Sequence, residues 1–220
     1  MQKETPNGPI HFLSERLYFP PVEQANSEGL LAVGGDLSPE RLLLAYQNGI
    51  FPWFNDDAFI MWWSPNSRMV LYPHDIKISK SMQKVIRGNQ FRLTKNTNFE
   101  AVIEHCSTVP RYDQDGTWIT AQMKKAYVEL NKKGYAKSYE VWEEDELVGG
   151  LYGIDLGHVF CGESMFSLKA NASKYAFILL AQELEEKNYA LIDCQLYTDH
   201  LASLGAQEIP RELFMSQLKG

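Results

Sequence analysis

The stretch from Ala136 to Leu196, AKSYEVWEEDELVGGLYGIDLGHVFCGESMFSLKANASKYAFILLAQELEEKNYALIDCQL, decides the fold class. Its first part breaks into short strand-like segments at turn residues: Ala136–Glu143, a turn at Glu144–Asp145, Leu147–Tyr152, a turn at Asp155–Gly157, then His158–Cys161. Segments of that length joined by such turns make an antiparallel meander. The period then changes. Asn171 or Ser173 can cap a strongly apolar helix through Ala176, Ile178, Leu179 and Ala181, which ends at Asn188. One more strand, Ala190–Leu196, follows. A meander, a helix and a further strand predict an α+β or α/β domain with a mixed sheet flanked by helices.

Working outward, Thr120 to Lys133 reads as a helix closed by Gly134. Ser79 to Gly88 reads as another, with Met82, Val85 and Ile86 inward and Lys80, Lys84 and Arg87 at i, i+4, i+7 on the opposite side. Six of the 21 basic residues fall between positions 77 and 95, with no acid among them. Such an island is either a solvated face or a phosphate-binding surface. Before Arg68 the chain is different: short elements broken by Pro and Gly. Ser38 is a helix N-cap with Pro39 at the first helical position, and the helix stops at Gly49. Two tryptophan runs, Phe51–Phe54 and Met61–Pro65, each stop at a proline. A boundary is expected there, with residues 1–67 a small α+β domain that lends aromatic residues to the site and 68–220 the larger domain.

Composition narrows the class. At 220 residues with 45% hydrophobic content, the chain can bury a sizeable core without staples. Three cysteines (Cys106, Cys161, Cys194) without paired spacing argue against a disulfide framework or a zinc knuckle. The first twenty residues hold no apolar signal-like run, and the longest apolar run, Tyr175–Ala181, is far short of the ~20 residues of a membrane helix. A cytoplasmic protein with no membrane partner is expected. The net charge of −7 excludes a general coat for nucleic acid and leaves room for a local basic patch.

The chemistry gathers at two motifs. In Leu191–Leu196, Asp193 sits inside a strand among Leu, Ile and Leu, a costly place for a carboxylate unless it is paired or functional. Strand alternation puts Asp193 and Gln195 on one face and Ile192, Cys194 and Leu196 on the other. In Phe160–Phe166, Glu163 is expected just past a strand end, beside Gly162 and apolar Met165 and Phe166. Asp193 is then either a loop-capping residue or, with Glu163, part of a site for a cationic group in an apolar pocket. A cysteine nucleophile would need a histidine base that neither His158 nor His200 is placed to supply. No metal-ligand spacing, P-loop or dinucleotide motif is present. Asn131–Ala136 only grazes the acetyl-CoA pyrophosphate-loop pattern, which disfavours that cofactor.

Taken together, Gly29–Ser38 (GLLAVGGDLS), Gly49–Phe54 (GIFPWF), Trp62–Pro65 (WWSP), Gly116–Thr120 (GTWIT), Phe160–Phe166 (FCGESMF), Asn171–Lys174 (NASK) and Leu191–Gln195 (LIDCQ) resemble the bacterial leucyl/phenylalanyl-tRNA–protein transferases. The resemblance runs from about Phe19 to Pro210. It implies a GNAT-like acyltransferase domain and transfer of Leu or Phe from aminoacyl-tRNA to the N-terminal Lys or Arg of a protein. That transfer marks the acceptor for N-end-rule degradation, and it needs no metal or cofactor. It further implies that Asp193 and Gln195 act at the attacking amine and that Glu163 pairs with the Lys or Arg cation. The transferred side chain would sit among Leu151, Phe160, Gly162, Met165, Phe177, Leu180 and Ile192. Leu151 and Leu180 stand where a relative has methionine and phenylalanine. Trp53 and Trp118 would hold the terminal adenosine, and Lys80, Lys84 and Arg87 the acceptor-stem phosphates, with the enzyme acting as a monomer. Two other classes remain open. One is another GNAT-like acyl transfer, either from acetyl-CoA, which should carry a competent pyrophosphate loop, or as a peptidoglycan-bridge aminoacyltransferase, usually a longer chain with a duplicated domain. The other is a non-catalytic module for basic peptide N-termini, which needs neither the basic helix nor the two tryptophans.

Overall fold

The computed structural model describes residues 10–55, 59–108 and 118–220. Gly116 and Thr117 of the GTWIT motif and the first nine residues lie outside the described residues. Two sheets organise the chain. Strands β1 (His11–Leu13), β2 (Leu30–Gly34), β3 (Phe51–Pro52) and β4 (Met61–Trp63) form a small sheet in the order β1-β2-β4-β3, with helix α1 (Pro39–Gln47) between β2 and β3. The chain changes sheet between Trp63 and Ser67. Strand β5 (Ser67–Leu71), helix α2 (Lys80–Arg87), strand β6 (Arg92–Lys95) and helices α3 (Phe99–Thr108) and α4 (Ala121–Lys132) follow. Then come β7 (Ala136–Glu143), β8 (Glu146–Asp155), β9 (Val159–Ser167), α5 (Ala172–Glu186), β10 (Leu191–Gln195), α6 (Asp199–Ser203), β11 (Gln207–Pro210) and α7 (Arg211–Lys219). The large sheet runs β11-β5-β10-β9-β8-β7-β6. Every neighbouring pair in it is antiparallel except β9 and β10, which are parallel. The expected mixed sheet flanked by helices, α+β in class, is the fold the chain adopts.

Local grammar explains most element starts. The side chains of Ser38, Ser79 and Thr120 accept from the backbone N–H of Arg41, Met82 and Met123, capping α1, α2 and α4. At α5 the expectation needs correction. Asn171 is the cap residue, but its side chain makes no capping bond, and its backbone sits at φ 72° in the left-handed region. Alternation along the strands then sorts two apolar clusters to the two faces of the large sheet. Val70, Leu191 and Cys161 pack with α1, α3, α4 and the small sheet, while Met69, Leu71, Ile192 and Phe160 pack with α2 and α5. Phe19, Leu31 and Trp62 of the small-sheet half share one cluster with Val102, Tyr127 and Phe214 of the large-sheet half, so the two sheets share a core.

Two register faults matter more than the regular parts. Between β8 and β9, Tyr152 faces Ser164 and Gly153 faces Gly162, so Glu163 is an extra, unpaired residue on β9. Between β5 and β10, Val70 faces Asp193 and Met69 faces Gln195, so β10 also carries one extra residue. Bulges of this kind bend the strand and re-aim side chains. Strand β9 extends to Ser167, so Glu163 lies within it and not past its end as the sequence suggested. Gly153 makes the first fault possible: a Cβ there would stand 2.3 Å from the Cys161 carbonyl oxygen and 2.5 Å from the Phe160 ring. Gly153→Ala is expected to cost about 1–3 kcal/mol as the strands are pushed apart. A urea titration reads this as a lower midpoint; an unchanged midpoint would show that the bulge tolerates a side chain.

Candidate functional site

The parallel ladder between β9 and β10 ends at the pair Cys161–Asp193. Beyond it the strands part, and a cavity of about 660 Å³ opens over the split. Glu163 and Gln195 stand there, on the two bulged strands. The Gln195 side-chain N–H donates to Glu163 Oε1 at 2.7 Å, and the Tyr127 hydroxyl donates to Glu163 Oε2 at 2.9 Å. The Tyr46 and Tyr127 hydroxyls are themselves hydrogen-bonded, which extends the chain to α1. Burial pushes the Glu163 carboxyl up to about 7, against the hydrogen bonds from Tyr46, Tyr127 and Gln195 that pull it down. Every one of those donors is neutral. Among the described residues no Lys, Arg or His forms an ion pair with Glu163.

Asp193 has the opposite arrangement. It is fully buried and absent from the cavity wall. Arg68 grips both of its oxygens, Nε to Oδ1 at 2.8 Å and Nη2 to Oδ2 at 2.7 Å, and the Gln195 backbone N–H donates to Oδ1 at 3.0 Å. Asp193, expected at an attacking amine, thus lies behind the cavity wall with three donors from within the protein on its two oxygens. Gln195 adopts φ 63°, with the Leu196 N–H donating to the Cys194 carbonyl at 2.8 Å. That is a γ-turn of the rare positive-φ kind, and for a glutamine it is strained. The turn also overrides simple alternation. Cys194 and Leu196, expected on the opposite face from Gln195, line the cavity with it, while Ile192 stays in the core. Burial pushes the Cys161 and Cys194 thiols up, which keeps both protonated.

The remaining expected residues sort by distance from this split. Leu151, Gly162 and Met165 line the cavity from β8 and β9, and Phe177 and Leu180 from α5. Phe160 and Ile192 do not reach it; they are buried in the apolar cluster that contains Phe177 and Leu180. Trp53 and Trp118 both line the cavity, and Trp63 braces Trp53 edge-on at 5.7 Å while donating its N–H to the Trp53 carbonyl at 2.7 Å. Lys80, Lys84 and Arg87 are exposed on α2, outside the cavity wall and without an ion-pair partner among the described residues. Sequence reading missed Arg68, Tyr46, Tyr127 and the cavity residues Thr198 and His200. Arg68 was visible as a lone cation in the apolar run Ser67–Leu71. The two tyrosines were hidden, because at their helix positions they look like ordinary core residues.

The fold and the split thus define a mixed-sheet protein with an apolar, open-mouthed cavity and, among the described residues that line it, one acidic group, Glu163, without an ion-pair partner. Comparison with known proteins gives that description a chemistry. Residues 70–219 match the family model described as leucyl/phenylalanyl-tRNA protein transferase, and residues 35–66 match the model of that family's N-terminal domain. A leucyl/phenylalanyl-tRNA–protein transferase from Flavobacterium johnsoniae is 58% identical over 210 residues, covering 96% of this chain and 99% of the relative. One from Flavobacterium psychrophilum is 54% identical over 210 residues, covering 96% and 100%. Among solved structures, a GCN5-related N-acetyltransferase from Kribbella flavida is similar at 9% identity and a TM-score of 0.37, over 77% of this chain and 59% of that one. The chain belongs to the leucyl/phenylalanyl-tRNA–protein transferase family and is an aminoacyltransferase. No helix among its described residues is long and apolar enough to cross a membrane.

The raised Glu163 carboxyl has a stability signature. Its ordinary value is 4.5 and its folded value about 7. Between those limits the folded chain holds a proton that the unfolded chain has released, so stability falls as pH rises through the window. Glu163→Gln removes that slope. Thermal melts are expected to show the variant gaining on the parent protein between about pH 5 and pH 8; a constant difference would mean that Glu163 is not raised.

Proposed function

We propose that the chain moves Leu or Phe from aminoacyl-tRNA to the N-terminal Lys or Arg of an acceptor protein, marking the acceptor for degradation by the N-end rule. The observation that carries this reading is Glu163: a carboxylate held only by neutral donors, on the floor of an apolar cavity, is completed by a cation brought in from outside. A neutral N-terminal side chain would leave that carboxylate desolvated and unpaired, which is how the site rejects it.

The chemistry asks little of the protein. The α-amine nitrogen attacks the ester carbonyl carbon, an amide bond forms, the ester C–O bond breaks, and the terminal ribose oxygen leaves with the proton that the amine gives up. The ester is already activated, and the amine, with an ordinary pKa of about 7.7–8.0, is partly deprotonated at neutral pH. Positioning therefore supplies most of the rate, with no metal or cofactor. With its N–H committed to Glu163, Gln195 turns its carbonyl oxygen toward the amine and orients it. Asp193 acts one step back, through the Gln195 turn.

The donor occupies the rest of the cavity. Leu151, Met165, Phe177 and Leu180 surround the apolar side chain, Gly162 leaves room for it, and Phe160 and Ile192 back the pocket from the core. Trp53 and Trp118 stack on the terminal adenosine, which is a sequence-tolerant grip. The exposed face of Lys80, Lys84 and Arg87 meets acceptor-stem phosphates, adding affinity and not base specificity.

Two measurements test this. Purified protein is given labelled Phe-tRNA and two peptides that differ only in an N-terminal Arg or Ala. Label is expected in the Arg peptide alone, and Glu163→Gln is expected to lower kcat/KM for that peptide by about 10–100-fold; equal labelling of both peptides overturns the cation assignment. Separately, Lys84→Glu with Arg87→Glu should weaken tRNA binding and flatten its dependence on salt by about one unit of slope per lost phosphate contact. A salt slope equal to that of the parent protein would remove the basic face from the interface.

A further inference from the structure

Arg68 is 1% exposed and sits in a run of apolar strand residues, where an arginine is costly unless it is fully used. All three of its nitrogens are used, by elements from both ends of the chain. Nε and Nη2 take the two oxygens of Asp193, and Nη1 donates to the Gly49 carbonyl at 3.2 Å. The rings of Phe51 and Phe214 lie 4.7 and 4.6 Å from the guanidinium carbon. These contacts fix the plane of the guanidinium and, through the two-pronged bond, the plane of the Asp193 carboxylate.

The fixed carboxylate has one more partner. Asp193 Oδ1 accepts the backbone N–H of Gln195, the residue held in the strained positive-φ turn. A strained conformation persists only where its surroundings over-determine it. Here the surroundings are that hydrogen bond, and the far side of the turn is the Gln195 side-chain N–H on Glu163. We propose that Arg68 is a positioning residue for aminoacyl transfer: by clamping Asp193 it holds the turn that aims the Gln195 amide at Glu163. The proposal rests on the reading that Glu163 and Gln195 meet the acceptor amine. Lysine cannot replace this arginine, because an ammonium does not supply two parallel N–H donors in a fixed plane.

Arg68→Lys is expected to lower kcat with the Arg peptide by about 100-fold, the scale of an ångström's misplacement, and to leave KM for Phe-tRNA unchanged. Gln195→Ala should cost much of the same factor in the parent protein and nothing further in Arg68→Lys, since the amide is already misaimed. Full kcat in Arg68→Lys, or the same Gln195→Ala loss in both backgrounds, overturns the proposal. If Arg68→Lys does not fold, Phe214→Leu removes one ring from the guanidinium and leaves the ion pair. It should lower kcat several-fold with the same lack of additivity toward Gln195→Ala, and unchanged kcat overturns the proposal. An NMR reading needs no substrate. The Gln195 side-chain amide signal, identified by its loss in Gln195→Ala, should stand apart from free glutamine amides in the parent protein and join them in Arg68→Lys or Phe214→Leu; a signal that stays in place overturns the clamp. If the parent protein labels neither peptide while that signal still moves, the proposed function fails and the clamp stands.

Discussion

Two parallel strands cannot part in the middle of a sheet without finding new partners for their backbone groups, and the parting of β9 and β10 after Cys161 and Asp193 is the constraint on which the rest depends. On β10 the obligations are met locally. The Gln195 N–H turns to a carboxylate two residues back, and the Leu196 N–H closes the tight turn. On β9 the strand keeps its pairing with β8 but absorbs an extra residue, Glu163. The outcome is a gap in the centre of a continuous sheet, floored by side chains that neither strand would present if it were regular. In open sheets, ligand crevices form at the carboxyl ends of parallel strands; here the only parallel pair among the described strands of the large sheet supplies the crevice.

The two acids at that gap show how environment divides similar groups. Asp193 faces a guanidinium and is sealed from the cavity. Glu163, on the neighbouring strand, receives only hydroxyl and amide donors, and burial leaves its ionised form under-compensated. One charge is settled by an ion pair within the fold, and the other by neutral donors alone. The tyrosine pair does for Glu163 what a few fixed water molecules would do, but from the rigid frame of helices α1 and α4.

The regular parts of this architecture were readable because they rest on period and punctuation. The capping serines and Thr120, the meander turns and the apolar face of α5 all follow local rules. The site residues Glu163 and Gln195 were readable as chemistry, since a carboxylate and an amide inside apolar strand motifs demand a reason. What alternation could not supply was where they point. A bulge is one residue of slack between strands distant in sequence, and neither strand records it alone. For that reason Glu163 was expected past a strand end and Cys194 and Leu196 on the wrong face. The ion pair of Asp193 was hidden for a related reason: its partner Arg68 lies 125 positions away, and charge pairing across that span leaves no local trace. Phe160 and Ile192 are apolar like the cavity residues, and only packing tells a pocket wall from the layer behind it.

That separation also bears on how the molecule is made. Strand β5 pairs with β10 and β11, so its first edge is covered only once the chain reaches Gln195, and its second only at Pro210. Arg68 has no carboxylate until Asp193 is made, and the Phe214 ring beside its guanidinium arrives later still. Non-local pairing of this kind slows folding and leaves strand edges open in the nascent chain. The same delay means that a partly synthesised chain, even with Glu163 already in place, lacks the strand that completes the split between β9 and β10.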